Sequence, residues 1–232
     1  MTTIGDNLQS QYARLWRACE QAGRPRDAVR LLAVSKTFGP DAVRAAVAAG
    51  QTAFGENYVQ EGVEKIAALA DVAGLEWHCI GPLQSNKTRP VAEHFDWVQS
   101  VDRLKIAQRL SEQRPANLSP LQVCIQVNVD GGANKSGVTP AELPALAGAV
   151  AALPRLKLRG LMAIPEPTPD AESARAVFAQ VRVLFDALNA QGLGLDTLSM
   201  GMSDDLEAAV TAGSTMVRVG RGVFGARFYT ST

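Results

Sequence analysis

Short apolar runs alternate with amphipathic stretches along almost the whole chain. Leu31-Leu32-Ala33-Val34 is the first run, and others begin near residues 53, 75, 95, 121, 156, 195 and 215. Apolar runs of this length bounded by polar and turn residues predict strands buried on both faces, as in parallel sheets. Between them the spacing turns helical. Asp6 to Ala22 carries Leu8, Tyr12, Leu15, Trp16 and Cys19 on one face and is stopped by Gly23 and Pro25, which predicts a helix ahead of the first strand. Further helices are predicted over Pro40 to Gly50, from Asn57 to about Ala70, over Gln84 to Ala92, and from a capping Asp102 through Leu110. Three more follow, over Pro140 to Leu153, Asp170 to Ala190 and Ser203 to Ala212, the last with Ser203 as its cap.

Eight strand-helix units predict a single α/β domain over 1–232, a (β/α)₈ barrel, a fold that usually takes about 250 residues. An open doubly wound sheet competes with it. The one Gly-x-Gly-x-x-Gly match, Gly220-Arg221-Gly222-Val223-Phe224-Gly225, argues poorly for that sheet. It is followed by too few residues for the second strand and acidic residue of a dinucleotide site.

Composition narrows the function classes. The 232 residues are 47% hydrophobic and 20% charged, with 23 basic and 23 acidic side chains, so no field suited to nucleic acid exists. Cys19, Cys79 and Cys124 are widely spaced and odd in number, which predicts reduced, buried thiols and a cytoplasmic location. A charged leader with an apolar core is missing at the start, and no eighteen apolar residues run together, so neither export nor membrane insertion is expected. With no long exposed apolar helix in the pattern, a monomer is expected.

The candidate chemistry begins at Lys36, where the first apolar run ends. Alternation places Leu32, Val34 and Lys36 on one strand face, so an inward Leu32 brings Lys36 inward too. Desolvation lowers a lysine pKa that starts near ~10.4 and frees the amine to attack a carbonyl; the plain alternative is a lysine reaching to solvent. In barrels, functional groups stand at the carboxyl ends of strands and phosphate commonly binds after strands seven and eight. There the chain reads Ser199-Met200-Gly201-Met202-Ser203-Asp204-Asp205 and Val217-Arg218-Val219-Gly220-Arg221-Gly222, both rich in glycine and anion-binding groups. A lysine facing a phosphate cradle suits a phosphorylated aldehyde, and pyridoxal 5'-phosphate (PLP) is the leading candidate. A cofactor-free Schiff-base aldolase acting on a sugar phosphate is a competing reading.

The chain also resembles the pyridoxal phosphate homeostasis proteins of the YggS/PROSC type. The matching stretches are Ala33 to Thr37, Phe54 to Glu61, Trp77 to Lys87, Gly160-Leu161-Met162, Ser199 to Asp205 and Val217 to Gly220, spread over nearly the whole length. The resemblance implies a barrel like the amino-terminal domain of alanine racemases, with PLP held as an internal aldimine on Lys36. It further implies that Ser203 and the backbone at Gly220 and Arg221 hold the phosphate, and that Arg218 lies near the pyridine nitrogen. Asn57 and His78 would line the ring or its hydroxyl, with Met200 packed beside it. Arg221 departs from the family, which carries threonine or another small hydroxyl residue there; the arginine would pair with the phosphate or turn to solvent.

His94, Cys79 and Cys124 read as structural, His78 equally as a hydrogen-bonded core residue, and Lys135 as a solvated loop lysine with a place facing the site as the alternative. An arginine at the ring nitrogen weakens the cofactor as an electron sink, and Tyr229 near the end of the chain is a poor second base. The expectation is therefore a protein of vitamin B6 homeostasis that stores or hands over PLP, with PLP-dependent apo-enzymes as transient recipients and no turnover of its own. A small PLP-dependent amino-acid racemase is the alternative.

Overall fold

A computed structural model describes residues 2–131 and 136–225. Eight parallel strands pair in chain order and close on themselves. They are β1 (Arg30–Val34), β2 (Ala53–Glu56), β3 (Glu76–Cys79), β4 (Trp97–Val101), β5 (Leu121–Gln126), β6 (Leu156–Met162), β7 (Thr197–Ser199) and β8 (Met216–Val219). Closure comes from β1 on β8, with Arg30 opposite Met216 and Ala33 opposite Val219. All eight predicted strands are present, because each apolar run was long enough to be buried between barrel interior and helix layer. The helices are α1 (Ile4–Gln21), α2 (Pro40–Ala48), α3 (Val59–Ala68), α4 (Thr88–His94), α5 (Leu104–Gln113), α6 (Leu143–Ala151), α7 (Ala171–Ala190), α8 (Leu206–Thr211) and the one-turn α9 (Arg221–Phe224). None of them is long and apolar enough to cross a membrane.

Alternation divides the core in two. Leu31, Ala33, Phe54, Trp77, Cys79 and Val217 face outward and pack under the helices, whereas Leu32, Val34, Ala53, Ile80 and Met216 fill the barrel interior. Gly160 lets β6 and β7 approach closely: a Cβ there would stand 1.7 Å from the Thr197 carbonyl oxygen of neighbouring β7.

The extra helix α1 starts with a capping box, Thr3 and Asp6 bonding each other's backbone N–H at 3.0 Å. It then lies across the last helices. Arg14 holds Glu207 of α8 through two bonds of 2.6 Å and donates to the Ser203 carbonyl at 2.6 Å, while Asn7 donates to the Val223 carbonyl. Two local expectations need correction. Asp102 is not a cap, because Arg103 occupies that position and takes the Asp102 carboxylate as an ion-pair partner. Nor does Ser203 cap α8, which begins after Asp205, whose carboxylate accepts instead from the Met202 N–H at 2.6 Å.

Candidate functional site

A cavity of about 200 Å³ opens at the carboxyl ends of β1, β2, β3 and β8. Lys36, Asn57, Ser203, Arg218, Gly220 and Arg221 all line it, so six predicted residues from four parts of the chain meet at one place. Asp204 lines it as well, and the apolar Val34, Ile80, Ile164 and Met202 complete the walls. These four were not singled out beforehand, since an apolar residue at a strand end reads in sequence like any core residue. The side chain of Asn57 presents a buried Oδ1 with no hydrogen-bond partner among the described residues. Its position is set from behind by Gly81, where a Cβ would stand 2.2 Å from the Asn57 carbonyl oxygen.

Arg218 forms the cationic floor. It is 3% exposed and donates to the Ser199 carbonyl and hydroxyl at 2.7 Å each and to the Ala163 carbonyl at 2.8 Å. Burial pulls its pKa down to about 10, so it remains a cation at neutral pH. Because the Ser199 hydroxyl accepts from Arg218, its own proton goes to Gln99 Oε1, 2.5 Å away. That fixes the Gln99 amide nitrogen toward His78 Nδ1 at 2.9 Å, and His78 Nε2 must then carry the proton and donate to Glu76 at 2.8 Å. A directional file of hydrogen bonds thus runs down the barrel from Arg218 to Glu76, which also pairs with Arg30.

Two of the residues expected at the ring do not line the cavity. His78 faces the interior but lies one layer too deep: it is wholly buried, stacked on Trp97 at 5.0 Å, and does not line the cavity. Met200 follows inward-facing Ser199 and therefore faces outward into the helix layer, fully buried there; Met202 takes its place at the cavity. Arg221 is mostly exposed at the rim and pairs with Asp204 at 3.3 Å, neutralising an acid that would otherwise oppose an anion. His94 has the surface place expected of it at the end of α4, and Cys19, Cys79 and Cys124 are free and buried, with burial pushing the Cys79 and Cys124 thiols up to about 12. Lys135 and Tyr229 lie outside the described residues. Among those residues no cluster fit to hold a metal exists.

Burial pulls the His78 pKa below its ordinary 6.5, with Glu76 opposing. Burial also pushes Glu76 upward, but the hydrogen bond from His78 and the nearby Arg30 outweigh it and hold that carboxyl at about 2. Both shifts favour the neutral histidine and ionised glutamate of the fold. Their stability is present above pH 6.5 for His78 and above 4.5 for Glu76, and is lost as pH falls through the lower folded-state values. Urea midpoints should fall from pH 6.5 to 5 in the parent protein, and His78→Gln should flatten that slope; equal slopes would contradict the assignment.

A second polar group stands just outside the barrel wall. Lys65 of α3, 3% exposed, bonds the Ser35 carbonyl at 2.6 Å, Glu56 at 2.8 Å and Glu61 at 2.6 Å. Ser35 donates its hydroxyl to Glu56 at 2.5 Å, and the Thr37 N–H donates to Glu61 at 2.5 Å. Its only trace in the sequence was the Glu61/Lys65 spacing and an outward-facing acid at the end of β2.

Comparison with known proteins identifies the family. The family described as "Alanine racemase, N-terminal domain" matches residues 6–228. A protein named pyridoxal phosphate homeostasis protein from Pseudomonas aeruginosa is 62% identical over 229 residues, covering 99% of this chain and 98% of that one. The protein of the same name from Escherichia coli is 54% identical over 231 residues, 99% of each chain. Among solved structures, PipY of Synechococcus elongatus with PLP bound superposes with a TM-score of 0.83 at 39% identity, over 96% of this chain and all of that one. Alanine racemase from Corynebacterium glutamicum, at 18% identity and a TM-score of 0.65, shares the fold over 95% of this chain and 62% of its own. The chain belongs to the pyridoxal phosphate homeostasis proteins, built on the alanine racemase N-terminal-domain fold.

Proposed function

We propose that this protein binds PLP in the cavity at the carboxyl face, joins it to Lys36 as a Schiff base, and serves as a carrier in vitamin B6 homeostasis without turnover of its own. The observation that carries the reading is the convergence of Lys36, Asn57, Ser203, Arg218 and Gly220 on one cavity. The residues fit the group: the unpartnered Asn57 Oδ1 suits a donor, and Val34, Ile80 and Ile164 offer apolar walls for a ring. Ser203 and the Gly220 turn suit an anionic tail, and the Arg218 cation suits the ring nitrogen. PLP itself supplies an aldehyde and an electron-withdrawing ring. The protein's part is to orient the Lys36 amine, to present a fixed cation at Arg218 that no ordinary pH removes, and to hold Ser203 through Arg14.

That the relatives are named for homeostasis, and that a PLP-bound structure exists for PipY, supports this reading. The protein acts as a monomer in the cytosol, passing PLP to apo-enzymes. Arg218 sharing the cavity with the amine favours carriage over the alternative of a small racemase, because a permanent cation disfavours protonation of a ring nitrogen beside it. Mixing with PLP followed by borohydride should give a reduced adduct whose mass maps to Lys36, absent in Lys36→Ala, with no turnover across a panel of amino acids. An adduct elsewhere would refute the attachment, and Lys36-dependent turnover would refute the carrier role.

A further inference from the structure

We propose that Lys65, Glu56 and Glu61 are positioning residues that clamp the strained turn carrying Lys36 and so hold its amine ready for an aldehyde. This rests on the reading that Lys36 is the attachment point. The Phe38 N–H donates to the Ser35 carbonyl at 3.0 Å, closing a turn with Lys36 and Thr37 at its centre. Thr37 has φ of +69°, one of two non-glycine residues with positive φ among those described. Glycine usually takes the second central position of such a turn, and a β-branched side chain there is an outlier that persists only when its surroundings impose it.

The surroundings that impose it come from α3 and the end of β2. All three protons of the Lys65 ammonium are spent, on the Ser35 carbonyl, Glu56 and Glu61. Glu61 uses the same oxygen to take the Thr37 N–H, and Glu56 takes the Ser35 hydroxyl. The residue on each side of Lys36 is therefore gripped by one buried cluster. Strand alternation makes this possible: Ser35 and Glu56 face outward to meet Lys65, while Lys36 between its gripped neighbours faces the cavity. Three charged groups are a costly way to stabilise a helix against a strand, since apolar residues of similar size would pack there as well. What apolar residues lack is the means to hold the Ser35 carbonyl and the Thr37 N–H, and hence the direction in which Lys36 leaves the strand.

Glu61→Ala tests this, because Glu61 is 27% exposed and its loss leaves the core intact. Hydrogen exchange at the Thr37 amide should accelerate about tenfold while the amides of β1 stay protected. The rate at which PLP forms a borohydride-trappable adduct at Lys36 should fall about tenfold, the scale of a small misplacement of a reacting group. Adding Thr37→Gly, which takes the positive φ without strain, should return most of that rate. Unchanged trapping in Glu61→Ala, or unchanged Thr37 exchange, would overturn the proposal. If the parent protein forms no adduct at Lys36, the carrier reading falls, and Thr37 exchange alone then decides the clamp: acceleration supports it and its absence refutes it.

Discussion

Lys65→Met should lower the free energy of unfolding by about 3–5 kcal/mol, the usual cost of removing one partner from a buried ion pair. Glu56 is fully buried, its Oε2 has no hydrogen-bond partner among the described residues, and its Oε1 would keep only the Ser35 hydroxyl. Burial already pushes the Glu56 pKa up, with the charge and hydrogen bond of Lys65 the foremost opposing influences. Without Lys65 it rises further, and an acid whose folded-state pKa is raised contributes most below its unfolded value and loses that contribution as pH rises. The variant should therefore lose less stability at pH 5 than at pH 8. Pairing it with Glu56→Gln removes the stranded charge and should recover most of the loss. Urea unfolding of the two variants at both pH values checks this, and a single variant within 1 kcal/mol of the parent would contradict it.

Gly160→Ala should cost about 3 kcal/mol, because the added methyl group would meet backbone and not a side chain that can swing aside. The nearest atoms to a Cβ at 160 are the Thr197 carbonyl oxygen at 1.7 Å and its carbon at 2.6 Å. Gly160 and Thr197 are paired across β6 and β7, and β7 has only three residues with which to absorb the push. That short strand leads into the turn holding Ser203, so PLP affinity should fall together with the melting temperature. Gly148→Ala is the matched control: it lies inside α6 with nothing within 4 Å of a Cβ, and should gain about 0.5–1 kcal/mol from helix propensity. Equal melting temperatures for the two alanine variants would refute the packing argument.

Most of the barrel could be read from the chain because its signal is local. Each strand announces itself as an apolar run between punctuating residues, and β1 to β8 all lie where such runs do. Helix α9 escaped notice because four residues among glycines look like a turn. The site was legible where only the end of a strand mattered, as at Lys36, Asn57, Arg218 and Gly220. It was not legible where register or depth mattered. Met200 misses the cavity by one residue of alternation, and His78 by one layer of the interior, a depth fixed by the stagger between strands rather than by either strand alone. Glu61 and Lys65 were not singled out, since an i,i+4 pair on a helix carries no sign of burial in its own sequence.

Because β1 is hydrogen-bonded to β8, and α1 reaches over α8 and α9 through Arg14 and Asn7, α1 and β1 cannot settle until α8, β8 and α9 have been made. Lys36 and Gly220 come to line one cavity only after that long-range closure, which is the slow kind of folding event. A chain halted before β8 would leave Lys36 without the adjoining wall of its cavity, so the cavity takes shape only once β8 has been made.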